Sequence, residues 1–122
     1  MMNTPITIEY PFPPKELNPN RQIHWAAKAK VKKAYREECR LLTVKADTYD
    51  LSKVKDRIIN LYITFFPPDR RHRDDDNLVA AFKSGRDGIA DALEINDKMF
   101  RIHPVLSDTI GNKVVITFIP KE

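Results

Sequence analysis

An apolar run from Ile58 to Phe66 stops dead at Pro67-Pro68; a few residues later come three consecutive carboxylates, Asp74-Asp75-Asp76, and a helical pattern from Leu78 to Leu93. The paired prolines lack N–H donors and end a strand. Aspartate and asparagine are ordinary helix caps, and carboxylates suit the positive end of a helix. The stretch therefore reads as a strand handing over to a helix through Asp69-Arg70-Arg71-His72-Arg73. Carboxylates crowded this closely repel one another, and a cation between them relieves that repulsion. Hard oxygen ligands in small number suit Mg²⁺ or Mn²⁺, and neighbouring arginines can grip a phosphate bidentately. Metal-assisted cleavage of a phosphodiester is one reading. The other is plainer: the carboxylates cap a helix and the arginines form a solvated turn. In extended geometry positions 74 and 76 share a side, so Asp74 and Asp76 are the expected pair and Asp75 points away.

The rest of the chain sets the frame for that stretch. Thr4 to Tyr10 alternates as a first strand, with Ile6, Ile8 and Tyr10 on one face. Pro11, Pro13, Pro14 and Pro19 then make a stiff loop, read either as a connector or as a rim presenting Arg21, His24 and Trp25. Gln22 to Ala46 is helical in pattern, with Ala27, Val31, Tyr35, Cys39 and Leu42 near one face, and it runs into the turn-like cluster Asp47-Thr48-Tyr49-Asp50. Arg57 to Phe66 is the most apolar strand and is expected at the centre of its sheet. On the second helix Leu78, Phe82, Gly85, Ile89 and Leu93 face the sheet, while Asp76, Ala80, Lys83 and Asp87 form a polar stripe. Gly85 and Gly88 mark either close packing or a break. Phe100 to Leu106, interrupted by Pro104, is expected as an edge strand. Ser107 to Asn112 turns the chain, and Lys113 to Ile119 closes it, giving a hairpin-like final pair. The sum is an α+β (mixed α/β) chain forming one domain over residues 1–122, with a small mixed sheet of about four strands and two helices on one face.

A hydrophobic fraction of 42% in 122 residues is enough for one core without covalent staples. The single cysteine, Cys39, excludes an intramolecular disulfide framework and fits a reducing compartment. Its place in the helical pattern points to packing. No apolar run is of membrane-spanning length and no signal-peptide pattern opens the chain, so a cytoplasmic protein with no membrane partner is expected. Net charge is +4, unevenly spread. Arg21, Lys28, Lys30, Lys32, Lys33, Arg36, Arg40 and Lys45 face only Glu37 and Glu38 over one helix-length stretch. That helix is solvated surface, a phosphate-tracking face or a membrane-surface helix, the last disfavoured because it lacks a strong apolar face of Trp, Phe and Leu. Gly-rich phosphate loops, Cys/His zinc spacing and nucleophile elbows are all missing. His24, His72 and His103 are isolated and read as surface or satisfied polar residues.

The run Pro68-Asp69-Arg70-Arg71-His72-Arg73-Asp74-Asp75-Asp76-Asn77-Leu78, continued by Asp91-Ala92-Leu93 and Asn96-Asp97, resembles the RusA-type Holliday junction resolvases, whose corresponding stretch ends in D-x-D-N. Tyr10-Pro11-Phe12-Pro13-Pro14 and the closing strand extend the resemblance more loosely. It implies a metal-dependent endonuclease that cuts four-way DNA junctions as a homodimer. It further implies that Asp74, Asp76 and Asp97 hold Mg²⁺ or Mn²⁺ and that Lys83 is the catalytic lysine. The family lysine stands three residues after the motif asparagine, where this chain has Ala80; Lys83 lies one turn later on the same helix face. Asn96 replaces the first member of a common acidic doublet. Arg70, Arg71, Arg73, Lys28, Lys32, Lys33 and Arg36 are the expected phosphate contacts. A different class stays open, a non-catalytic basic DNA-binding module, as does a related metal-dependent nuclease acting on other branched DNA. Geometry adds a constraint. Seventeen helical residues from Asn77 to Leu93 span about 25 Å, yet three ligands of one metal must lie within a few ångströms of it. Either the chain folds back through a break at Gly85 or Gly88, or Asp97 meets the Asp74 and Asp76 of a second subunit; the shared site is the arrangement favoured.

Overall fold

The computed structural model describes residues 5–46, 48, 51 and 56–121. Strand β1 (Ile6–Pro11) leads through a 3₁₀ turn (Lys15–Leu17) to helix α1 (Trp25–Lys45) and central strand β2 (Ile59–Phe66). Helices α2 (Asp75–Ala81) and α3 (Lys83–Leu93), a 3₁₀ turn (Asp97–Met99), β3 (Phe100–Leu106) and β4 (Lys113–Pro120) complete the order. The four strands form one mixed sheet in the order β1-β4-β2-β3. Strand β4 runs antiparallel to both β1 and β2, and β3 runs parallel to β2. The α+β architecture, the central place of β2 and the edge place of β3 agree with the sequence reading.

The closing hairpin does not. Strands β3 and β4 lie on opposite sides of β2 and never pair. A helical crossover between β2 and β3 makes those two strands parallel neighbours. The chain must then pass over the end of β2 to reach its other edge, and it is pinned as it goes. Ser107 N–H donates to the Phe65 carbonyl at 2.9 Å, and Gly111 and Asn112 N–H donate to the Pro67 carbonyl at 2.9 and 3.2 Å. Asn112 takes the left-handed backbone this sharp return requires, φ 52°.

One sheet face is buried. Ile59, Leu61, Ile63 and Phe65 of β2 and Val114, Ile116 and Phe118 of β4 alternate with more exposed neighbours, as a half-covered sheet requires. Phe82 sits at the middle of an aromatic cluster, edge-on to Tyr10, Tyr35 and Phe65 at 6.0 to 6.3 Å between ring centroids. Tyr10 shares a buried hydrogen bond with Thr43 at 2.8 Å. Cys39 is fully buried, and burial pushes its thiol up to about 12, which suits packing and not nucleophilic chemistry. Helix α1 begins at Trp25, not Gln22, because His24 Nδ1 accepts the Ala26 N–H at 3.2 Å and caps it. Its first turns run past the core, so Ala27, expected on the buried face, is exposed, and Thr43 takes a buried place instead. Thr4, Asp47, Tyr49 and Asp50 lie outside the described residues.

The second helix divides, and neither glycine divides it. The break falls at Phe82, φ −84° and ψ −2°. Its N–H still bonds the Leu78 carbonyl, and Arg86 N–H bonds that of Phe82, both at 3.0 Å. The glycines are packing devices. A β-carbon on Gly88 would stand 2.1 Å from the Arg36 carbonyl oxygen, and one on Gly85 would stand 2.7 Å from the Phe82 ring. Gly88 lets α3 lie backbone-to-backbone on α1.

Candidate functional site

The proline loop after β1, the loop before α2 and the first turn of α2 enclose an open cleft of about 790 Å³. Lys15, Arg21, Arg71, His72, Arg73 and Asp74 all line it. Its shape depends on a clasp. Arg73 donates to Asp69 Oδ1 at 2.9 Å and to the carbonyls of Asp69 and Arg71 at 3.1 and 3.0 Å. Arg71 N–H donates to the same carboxylate at 2.9 Å. Hydrogen bonding from Arg73 first, then from the Arg71 amide, lowers Asp69 to about 2. The Arg73 guanidinium also lies 5.7 Å over the Phe12 ring, which ties the basic loop to the proline loop. Arg73 is thus the internal fastener, while Arg70 and Arg71 are exposed.

Asp74 caps α2: its Oδ1 accepts the Asp76 N–H at 2.9 Å. Asp74, Asp75 and Asp76 are all exposed. Asp75 borders a crevice with Pro104, Val105 and Leu106, away from the cleft that Asp74 lines. The extended geometry expected of this run holds only at Asp74, φ −93° and ψ 128°; Asp75 and Asp76 already lie in α2, and of the expected pair Asp74 alone lines the cleft.

A second cluster lies down the polar stripe. Lys83 Nζ donates to Asp87 and, at 3.2 Å, to Asp97 Oδ2. The Asp87 hydrogen bond raises the Lys83 pKa, against the opposing effect of burial. Asp97 opens a 3₁₀ turn capped by Asn96, whose Oδ1 accepts the Lys98 N–H at 2.9 Å. Half-buried Arg86 flanks this group; burial lowers its pKa, and its Nε has no hydrogen-bond partner. Sequence reasoning placed Asp87 on the stripe without giving it a role; its i to i+4 spacing from Lys83 was the available signal.

Lys83 and Asp97 are therefore brought together, but Asp97 is not brought to Asp74 and Asp76. Seven residues and the break at Phe82 separate Asp76 from Lys83. Among the described residues no three His, Cys, Asp or Glu side chains gather as a group that could hold a metal. The chain thus carries two separate clusters: Asp74 on the wall of a cationic cleft, and a lysine bridging two further carboxylates.

On α1, Lys30, Lys32 and Lys33 are exposed and Lys28 is partly so. Arg36, like Arg73, is committed within the fold. It grips Asp91 bidentately at 2.7 and 2.9 Å across 55 residues and fastens α1 to α3. That hydrogen bond is the main cause of the lowered Asp91 and raised Arg36 pKa values. Arg40 likewise grips Glu37. Arg21, read as one side of a rim, does line the cleft, whereas Lys15 was missed because only the folded proline loop carries it there. No helix among the described residues is long and apolar enough to cross a membrane.

No family model matches the chain. Over 113 residues, 91% of this chain and 74% of the relative, it is 40% identical to an uncharacterized protein of Xylella fastidiosa strain Temecula1. The chain belongs to the same family as that protein.

Proposed function

We propose that the chain is a metal-dependent, structure-specific endodeoxyribonuclease of the RusA type, resolving four-way DNA junctions by paired phosphodiester hydrolysis. The observation that carries this reading is Asp74, exposed at the wall of a cleft whose other polar groups include Lys15, Arg21, Arg71 and Arg73. Carboxylates in a cationic cleft suit a substrate that brings both phosphate and a counter-cation. Phosphate contacts from Arg70, Arg71, Lys28, Lys32 and Lys33 would fix position without reading sequence.

The donor set fits a hard divalent ion by its chemistry: Asp74, Asp76 and Asp97 offer only carboxylate oxygens, and all three are exposed. It does not gather as a trio within one subunit, since no three-ligand group forms among the described residues. A homodimer with two-fold symmetry answers this by setting Asp97 of one subunit against Asp74 and Asp76 of the other, and a two-fold enzyme suits a junction that needs two symmetric nicks. Bound there, Mg²⁺ or Mn²⁺ would supply an acidified water and charge stabilisation. Lys83, already on Asp97, would neutralise charge developing on the phosphate.

One set of observations favours a second reading, a non-catalytic basic DNA-binding module. Asp74 is engaged as a cap and Asp97 is engaged by Lys83, so both carboxylates have structural partners. Incubating a synthetic four-way junction with the protein, with and without Mg²⁺ or Mn²⁺, separates the two. Cleavage only with metal supports the nuclease; tight binding with no product under any metal supports the module.

A further inference from the structure

Trp25 is 76% exposed, more than any other large apolar residue among those described. It opens the basic helix, and one face of its indole is braced. The His24 ring stacks on it at 5.6 Å with planes 29° apart, and His24 is itself fixed by capping the Ala26 N–H. The indole is thus held ready with its other face open. Its neighbours are cationic. Lys28 and Lys32, three and seven residues on, share its helix face. Arg21, on the cleft wall, is four residues back, at most about 14 Å along the chain. A protein-docking surface would call for a contiguous apolar patch, but from Asn20 to Lys33 the one exposed large apolar side chain is Trp25, followed by four lysines. A flat π face beside a phosphate rail is the arrangement that takes a nucleobase.

We propose that Trp25 is a stacking platform for an unpaired base, on a DNA strand whose backbone runs along Lys28 and Lys32 towards the cleft. This rests on the nucleic-acid reading above and makes it more specific: the preferred substrate exposes unstacked bases at a branch, where fully stacked duplex offers none. The chain has a single tryptophan, so indole fluorescence excited beyond the tyrosine band reports Trp25 alone. The protein is titrated with dye-labelled oligothymidylate, a forked duplex with single-stranded arms and a blunt duplex of the same length. Indole emission and dye anisotropy are read together. Quenching by the single strand and the fork, with none by the blunt duplex, supports the proposal. Trp25→Ala should then weaken single-strand binding about 5- to 150-fold while leaving duplex affinity unchanged, and Trp25→Phe should restore most of it. Salt-sensitive anisotropy with unchanged indole emission overturns the platform and leaves the nucleic-acid reading standing. Equal quenching by the blunt duplex overturns it too. So does an indole shift that follows protein concentration without DNA, which would assign Trp25 to contact with a second copy. Absence of any binding overturns platform and parent reading together.

Discussion

Asp74 serves the fold and the site with the same side chain, and the two duties can be separated chemically. Asparagine caps a helix about as well as aspartate, so Asp74→Asn should keep the cap on the Asp76 N–H and remove only the charge from the cleft wall. Cleavage should be abolished, thermal stability should hold, and junction binding should stay level or tighten because a repulsive carboxylate is gone. Asp74→Ala should in addition cost about 1 kcal/mol of stability as the cap is lost. Metal-dependent cleavage by the asparagine variant at the wild-type rate would remove Asp74 from the chemistry. Lys83 gives the complementary test. Its contacts with Asp87 and Asp97 are partly exposed and contribute little to stability. Lys83→Ala should therefore lower turnover far more than junction affinity, measured by single-turnover cleavage and by gel shift. Unchanged turnover would leave the lysine as a surface tie. What the sequence could say at this scale was local: an aspartate capping the helix start, and Lys83 and Asp87 on one stripe four residues apart, are short-range spacings. It could not say that Arg73 turns inward to clasp Asp69, since nothing in a run of three arginines distinguishes one from another.

Among the elements, legibility followed the range of the cause. Strand β2 was visible because its apolar run and the Pro67-Pro68 stop are contiguous, and β3 declared itself an edge through Pro104. The parallel pairing of β2 with β3 was not visible. The short turn from Ser107 to Asn112 carries the Gly-Asn chemistry of a hairpin, and only the crossover through α2 and α3 shows that β2 occupies the intervening place. The break at Phe82 was equally hidden, because it has no proline or glycine at its centre. The roles of Gly85 and Gly88 depend on what packs against them. Gly88→Ala makes this measurable. In an isolated helix it would stabilise by about 1 kcal/mol. Here the added carbon meets the Arg36 carbonyl oxygen at 2.1 Å, and backbone cannot swing aside as a side chain can. The helices must separate, loosening the Arg36–Asp91 pair, so a net loss of about 2 kcal/mol or more is expected from urea unfolding. A gain in stability would mean that α1 and α3 do not approach this closely.

At the scale of the whole molecule, Asp76 and Lys83 lie on either side of the break at Phe82, and in the proposed enzyme a second subunit would join their two clusters. The sequence contained this problem as a length, a helix too long for its two ends to share one metal. The fold eases it, because the break at Phe82 and the return of Asp97 to Lys83 bring Asp97 back beside the start of α3, although no three-carboxylate group forms among the described residues. The decisive measurement mixes two dead proteins, Asp76→Asn and Asp97→Asn, lets their subunits exchange, and follows incision of a four-way junction with Mg²⁺. In a shared arrangement the mixed dimer carries both lesions in one site and none in the other, so single-strand nicking should reappear without paired resolution. If exchange is demonstrated and the mixture stays inactive while wild type cuts, each subunit needs its own three carboxylates and the shared site is wrong.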